Sequence, residues 1–324
     1  MKKFLLKPFS LGQTYEIPPE SVVWGSRPRL VVKNKKNNHL YFLKWFTISP
    51  RELWVELFAS EFGKIMPDIS IQEVSIKSLD KGIIKNLQDS YWEVINTPFG
   101  VLIRNAFPQW YEITYGYTIL GIAPRGKTSL KQVWDAINKK YWWMWWQSEL
   151  LQAYSDMLIF DILIGNMDRH LENWGVLESE EFRSLQMRIE PKKVLKWSVT
   201  FSPLFDHGSA WLFELTDEKV EYYLQHPDEF KKHYILSHDS MLLTMDDGSC
   251  KDIFCLLKHQ IDHDCWWKKY LKTSIKRISN LNELDIAKVI FKMPNVPDLE
   301  YSEKRQELLF RAIGIRRQLL LSLF

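Results

Sequence analysis

Three side chains in this sequence have the types and spacing to activate a hydroxyl beside a divalent metal. In DILIGNMDRHLENWGVL, residues 161 to 177, an apolar run breaks at Gly165-Asn166 and delivers Asp168, Arg169, His170 and Asn173 on one short loop. A second acid, Asp206 in SPLFDHGSAW, follows another apolar stretch and precedes His207-Gly208. Two separated carboxylates with an amide oxygen suit Mg2+, which prefers hard oxygen ligands and shares its shell with phosphates. In such a set one of Asp168 and Asp206 can take a proton while the other, with Asn173, holds the metal.

Phosphate chemistry also needs a cation on the phosphates and a carboxylate to hold it. Lys44 lies in LYFLKWF between Leu43 and Trp45, and a helix rich in acids, PRELWVELFASEFGKIM, follows at once. Upstream, Trp24, Gly25, Ser26, Arg27, Pro28 and Arg29 stand between two strand-like runs. Backbone N–H groups and Arg side chains there could cover phosphates.

The elements that must carry these residues can be read from periodicity. VVWG, RLVVK and LYFLKWF read as strands, with KNKKNNH as a polar turn. Pro50 opens the helix, and IQEVSI, YWEVI and GVLIRNAF return to strand-like patterns. From about residue 128 long helical periods take over, first SLKQVWDAINKKYWWMWW and then SELLQAYSDMLIFDILIG. A hairpin-like stretch follows in WGVLESEEFRSLQMRIE and VLKWSVTF, and helices dominate after residue 213. The expected fold is α+β in two lobes: a small β-rich lobe with one helix, residues 1–107, and a larger mostly helical lobe, residues 108–324.

These pieces in this order resemble the HipA-like serine/threonine kinases, in particular short members without the extra N-terminal subdomain. The resemblance rests on IGNMDRHLENWGVL, PLFDHGSA, YFLKWF and NAFPQWYEITYG, and covers about residues 20 to 215. It implies a two-lobed kinase fold that binds ATP and Mg2+ between the lobes and phosphorylates a protein hydroxyl. The D-x-x-x-x-N spacing is that of a protein-kinase catalytic loop, which makes Asp168 the catalytic base and Asn173 and Asp206 the metal ligands. Lys44 takes the place of the phosphate-binding lysine, and Glu56 that of the helix glutamate. Arg104, Asn105, Ala106 and Phe107 take the hinge that faces the adenine. Gly25, Ser26, Arg27 and Arg29 fall in the phosphate loop, where Arg29 replaces the family's lysine and Val22 its serine, with Ser21 one residue earlier. The family also implies partners: a protein substrate such as a translation factor or aminoacyl-tRNA synthetase, and an antitoxin or small companion subunit.

Several assignments stay open at this level. At 3.6 residues per turn Glu61 falls amid Trp54, Leu57, Phe58 and Ile65, so the helical projection leaves it as an alternative to Glu56. Arg169 can meet a phosphate or an acid across the loop, and His170 reads as holding the loop rather than reacting. Cys255, His259 and His263 recur every four residues, but three successive turns spread them over about 12 Å, too far for one tetrahedral ion. Trp142, Trp143, Trp145 and Trp146 read chiefly as core, in a chain with 15 Trp.

Composition narrows the function classes. The formal charge of +3 is too small for a nucleic-acid coat or a polybasic membrane anchor. The three cysteines, all between residues 250 and 265, point away from a disulfide framework and toward a reducing, cytoplasmic compartment. MKKFLLKPFSLGQ is broken by Lys7 and does not read as a signal peptide. Two rivals remain. A phosphoinositide-type lipid kinase shares the D-R-H-x-x-N loop but should carry a basic docking element, whereas residues 207 to 230 are acidic. A kinase-fold binding module without transfer would not need Lys44, Asp168, Asn173 and Asp206 together.

Overall fold

Strand alternation around an Asn-rich turn builds the first sheet. β2 (Arg29–Asn34) and β3 (Leu40–Lys44) pair antiparallel. The turn between them closes with Asn34 Oδ1 accepting from the Lys36 amide at 2.8 Å and with Asn38 at φ 58°, a region that Asn tolerates better than most residues. With β1 (Tyr15–Glu16), β4 (Val74–Ser78) and β5 (Phe99–Arg104) these strands form a five-stranded sheet of order β1-β2-β3-β5-β4, every neighbouring pair antiparallel. The computed structural model describes residues 13–18, 29–45, 51–79, 81–82, 84–85, 99–105, 110–142, 147–186, 198–236, 243–246, 252–263, 265–291 and 301–324. The expected strands VVWG and YWEVI lie outside the described residues.

The two faces of this sheet have different partners. Leu30, Val32, Leu43 and Leu102 join Tyr15 and Trp45 in a small separate core. Ile76, Val101 and Ile103 point the other way, into the main core, where α1 (Arg51–Gly63) packs with Leu53, Val55 and Phe58. Helix α1 is buried on nearly every face, so its interior includes Glu52, Glu56 and Ser60.

After β6 (Tyr111–Tyr115), α2 (Gly116–Leu120) and the short β7 (Thr128–Ser129), the chain enters α3 (Leu130–Tyr141) and α4 (Gln147–Ile164). Helix α3 starts on a full capping box, Ser129 with Gln132. β8 (Gly175–Ser179) and β9 (Val199–Phe201) complete a three-stranded antiparallel sheet of order β6-β8-β9. The hairpin-like pairing expected over residues 174 to 201 is present, β8 with β9, but the expectation is corrected between them, where α5 (Glu180–Gln186) follows β8 directly. Ser179 Oγ accepts from the Phe182 amide at 3.2 Å, and Glu180 and Glu181 fill the first turn, an N-terminal pattern favourable to a helix.

Beyond residue 213 lie α6 (Asp217–Gln225), α7 (Pro227–Phe230), a π-turn over Lys231–Ile235, β10 (Leu243–Thr244, parallel to β7), α8 (Ile253–His263), α9 (Cys265–Ser279), α10 (Glu283–Phe291) and α11 (Glu303–Leu321). Helix α4 is the axle of this part, apolar almost all round and covered by α9 and α11. Trp267 is fully buried and donates its indole N–H to the Leu130 carbonyl at 2.9 Å. The core reading of the Trp142 cluster does not hold for Trp142, which is 74% exposed. Trp143, Trp145 and Trp146 lie outside the described residues.

Helix α4 ends in a Schellman motif: the Gly165 amide donates to Ile162 O at 3.2 Å and the Asn166 amide to Asp161 O at 2.8 Å. Gly165 sits at φ 70°, and a Cβ built on it would lie 2.5 Å from both terminal nitrogens of the buried Arg316 guanidinium. Gly165→Ala is therefore expected to lower stability by more than the ~1–2 kcal/mol of left-handed backbone strain alone. Thermal unfolding measures it, and an unchanged midpoint would contradict the assignment.

Candidate active site

Alternation in β3 sends Leu43 into the small core and turns Lys44 to the face that bears α1. There the Lys44 Nζ lies 3.1 Å from Glu56 Oε1 and 3.2 Å from Asp206 Oδ1. Burial alone would push the ammonium pKa down, but Asp206 and Glu56 outweigh it and hold it above the ordinary lysine value. Burial would likewise raise Glu56, yet Lys44 beside it, helped by His207, holds its carboxyl well below the usual carboxylate range. The second oxygen, Glu56 Oε2, accepts from the His207 amide at 3.3 Å. Glu56 thus joins β3 to the segment that carries Asp206. Glu61, the alternative on the helical projection, is partly exposed and paired with Lys64.

The loop after α4 is held by a buried acid. Asp161, fully buried, receives Arg169 in a fork, Nε to Oδ2 at 2.7 Å and Nη2 to Oδ1 at 2.9 Å. Asn166 Nδ2 adds a bond to Asp161 Oδ1 at 2.9 Å. The remaining Arg169 donor, Nη1, reaches Asn173 O at 2.6 Å and Phe205 O at 2.5 Å. Of the two partners open to Arg169, it takes the acid, and it ties this loop to the residue before Asp206. Asn173 Nδ2 donates to the Asp168 carbonyl at 2.9 Å, which directs its donor end inward and leaves Oδ1 as its acceptor. His170 is buried; its amide donates to Asp168 O at 2.9 Å and its Nδ1 accepts from the Glu172 amide at 3.3 Å, a loop-holding role.

The Asp206 segment is fixed from both ends. Upstream, Leu204 N donates to Ser70 O at 2.8 Å and accepts through its carbonyl from Gln72 N at 3.1 Å, a parallel bridge to the residues between α1 and β4. Asp206, Trp211 and Leu212 all have positive φ, between 58° and 63°. That strained path is pinned downstream: Tyr301 Oη donates to Trp211 O at 2.9 Å, and the buried Arg305 donates to Leu212 O at 3.0 Å, Leu215 O at 2.7 Å and Asp217 Oδ1 at 2.6 Å. Trp211 itself is fully buried against Phe58 and Phe62 of α1, at ring separations of 5.7 and 5.3 Å.

The histidines here give a pH signature. Burial, ahead of all other influences, lowers the pKa of both His207 and His170. The folded chain therefore resists protons that the unfolded chain accepts near pH ~6.5. Their contribution to stability is complete above that pH and is lost as pH falls below it. The midpoint of thermal unfolding is expected to drop between pH 7.5 and 5.5, less steeply in His207→Gln, and an identical slope in the variant would refute the role of His207.

Among the other sequence-derived candidates, Gly25, Ser26, Arg27, Ala106 and Phe107 lie outside the described residues. Arg29 is half-buried at the start of β2, directly opposite Lys44 in the pairing. Arg104 ends β5 and Asn105 follows it: the Arg104 amide donates to Glu73 O at 2.9 Å and the Asn105 amide to Leu40 O at 3.0 Å. Both amides are thus used within the protein, and the Arg104 guanidinium meets Glu73 at 3.3 Å on the surface. The reading of the sequence did not single out Asp161, Asn166 or Arg305 as supports. Asp161 had a signal, an acid inside an apolar helical run, which must find a partner when buried.

No family model matches the chain. In sequence it is 25% identical over 150 residues to the serine/threonine-protein kinase CtkA of Helicobacter pylori, an alignment covering 46% of this chain and 41% of that protein. The aligned part thus spans less than half the length of that curated relative. In three dimensions the chain superposes on the crystal structure of the Helicobacter pylori kinase CtkA with a TM-score of 0.68 and 19% identity, over 98% of this chain and 96% of that one. The chain has the fold of the HipA-like kinases. HipA of Shewanella oneidensis, solved with HipB and operator DNA, matches with a TM-score of 0.53 and 11% identity, over all of this chain and 72% of HipA. Within this HipA-like fold, Arg169 joins the loop of Asp168 and Asn173 to the segment of Asp206, which Lys44 of β3 and Glu56 of α1 meet from the other side.

Proposed function

We propose that the chain is an ATP-dependent protein serine/threonine kinase that passes the γ-phosphoryl group to a protein hydroxyl. The observation that carries this reading is the convergence of Glu56 and Asp206 on the Lys44 ammonium, at 3.1 and 3.2 Å, from positions up to 162 residues apart. In protein kinases a strand lysine paired with a helix glutamate is a condition of activity, and that pair is formed here. Residues 1–107 act as the lobe that covers the nucleotide and residues 108–324 as the lobe that presents the substrate hydroxyl.

The donor set fits Mg2+: Asp206 brings a carboxylate and Asn173 an amide oxygen, both hard ligands. Mg2+ with ATP supplies charge neutralisation on the transferring group. The chain's own residues do the rest. Lys44 orients the phosphates, and Glu56 keeps the ammonium in place. Asp168 orients the incoming hydroxyl and takes its proton, while Asn173 steadies the Asp168 backbone. Arg169 keeps the two acid-bearing segments in register.

The partners proposed are a protein substrate, a translation factor or aminoacyl-tRNA synthetase being the class that the resemblance suggests, and an antitoxin-like companion. The HipA neighbour solved with HipB supports the second. The setting proposed is the cytoplasm, without direct nucleic-acid or membrane binding; among the described residues no helix is long and apolar enough to cross a membrane.

Incubation with γ-labelled ATP and Mg2+ is expected to label Ser or Thr of added protein. Chelation of Mg2+ or Asp206→Ala should each lower transfer by about 10²-fold or more. Equal labelling in all three samples would remove the reading. Label on lipid vesicles and not on protein would replace it with a lipid kinase. Thermal stabilisation by nucleotide without transfer would replace it with a binding module.

A further inference from the structure

Between Asp168 and Asn173 the loop carries one acid, Glu172, whose carboxylate closes no hydrogen bond among the described residues. Its side chain is 48% exposed, whereas Asn173 beside it is buried, so Asn173 turns inward and Glu172 outward. The ionic contact of Glu172 among the described residues is with His170 Nδ1 at 3.6 Å. That nitrogen already accepts from the Glu172 amide at 3.3 Å, so it has no proton to offer the carboxylate. Glu172 therefore presents an unanswered negative charge on the loop that bears the proposed base.

The backbone sets two aromatic rings beside this charge. Tyr115 ends β6 opposite Gly175, the Gly116 amide donates to Trp174 O at 3.0 Å, and the Tyr117 amide donates to Leu171 O at 3.3 Å. These bonds bracket Glu172 and Asn173 from both sides. Gly116 permits the close approach, since a Cβ there would run into the Trp174 ring. The Tyr115 and Tyr117 rings stack at 5.7 Å with 11° between their planes, and both are half-buried. Burial raises the Tyr115 phenol pKa; the charge of Arg29 lowers it, and Tyr117 and Glu172 raise it further, so the Glu172 carboxylate acts on this ring. Arg125 follows Pro124, whose carbonyl accepts from the Leu171 amide at 3.0 Å, yet it makes no ion pair with Glu172 among the described residues.

We infer that Glu172, with the Tyr115–Tyr117 stack, selects protein substrates that carry an arginine two or three residues from the acceptor hydroxyl. The carboxylate takes the guanidinium in a charge-assisted pair, and the tyrosine rings take its flat face. Arginine suits this better than lysine, because its planar and weakly hydrated head stacks on aromatic faces. The spacing follows from the loop. Asn173 Nδ2 touches the Asp168 carbonyl at 2.9 Å, so Glu172 stands within two or three extended residues, about 7–11 Å, of the hydroxyl that Asp168 receives. An acidic neighbour of the acceptor would meet Glu172 as a like charge. The inference rests on the kinase reading for the acceptor and not for the capture of arginine.

The test uses the full chain and peptides with a central serine, in which arginine, alanine or glutamate is placed at each flanking position in turn. Labelled ATP with Mg2+ reads transfer, and calorimetry reads binding of the same peptides with the serine replaced by alanine. Arginine at the second or third position from the serine is expected to raise kcat/KM by about tenfold or more over alanine, chiefly through KM. Glu172→Gln should reduce that ratio to within about twofold, and Tyr115→Leu should lower it by about threefold. Glu172→Arg should turn the preference toward glutamate. Each ratio is read within one variant, so a general loss of activity or stability does not imitate it. Equal transfer to arginine and alanine peptides, or an unchanged ratio in Glu172→Gln, would overturn the inference. A wild-type preference for glutamate would also overturn it and would give the surface to Arg125. Absence of transfer to every peptide and added protein would count against the kinase reading alone, and the calorimetric ratios would then decide the arginine site by the same criteria.

Discussion

Asp168→Asn is expected to reduce phosphotransfer by about 10²–10⁴-fold, the range over which a positioned general base acts. The substitution keeps the shape of the side chain and removes its ability to take a proton. It should leave the loop intact, because what the loop uses of Asp168 is its backbone: the carbonyl accepts from Asn173 Nδ2 at 2.9 Å and from the His170 amide at 2.9 Å. The loss should therefore fall on kcat, with the unfolding midpoint and the affinity for Mg-ATP near those of the wild type. Labelled-ATP turnover beside nucleotide titration separates these quantities. Activity within threefold of wild type would take Asp168 out of the mechanism, whereas a collapse of nucleotide affinity would make it a binding residue.

The second large effect is on stability. Asp161→Asn should destabilise the chain by about 3–5 kcal/mol, because it leaves the Arg169 guanidinium buried without its counter-charge. Arg169 is 5% exposed and Asp161 fully buried, so water cannot replace the lost carboxylate. Urea unfolding measures the change. Activity should fall with it, since the other Arg169 donor holds Asn173 O and Phe205 O, the two segments that bear the metal ligands. Asp161→Leu with Arg169→Met removes both charges and should recover part of the stability but not the activity, because the carbonyl contacts stay lost. A loss under 1 kcal/mol in Asp161→Asn would show that the pair is not a structural anchor.

Local chemistry explains which parts of this were readable in the residues. The β2–β3 turn follows from Asn34 and Asn38, and the break after α4 from Gly165-Asn166, whose capping bonds close within six residues. The choice between Glu56 and Glu61 was not readable from periodicity, because α1 is buried almost all round and an amphipathic projection then loses its direction. α5 was hidden because it follows the strand-like GVL directly and is too short to show a helical repeat of apolar residues, while the Ser179 cap and the paired glutamates in its first turn held the contrary signal. Trp142 fell outside the core because the buried stripe of α3 runs through Val133, Ile137 and Tyr141, and the next residue, at about 100° further round the helix, faces away from it. Arg305 lies 90 residues or more from the carbonyls it binds, a relation that no local pattern encodes.

That last distance sets an order of events during synthesis. Asp168, Asn173 and Asp206 leave the ribosome early, while the guanidinium that pins Leu212 and Leu215 comes near the far end. At about 5–20 residues per second the gap between Asp206 and Arg305 takes roughly 5–20 s. For that interval the nascent chain holds each proposed reacting group but not the clamp on the left-handed turn that follows Asp206. A chain that stalls or is cut before α11 therefore carries the full set of chemical groups, with the Asp206 segment tied upstream but unpinned at Leu212 and Leu215, so such a truncation loosens the site without removing any one of them.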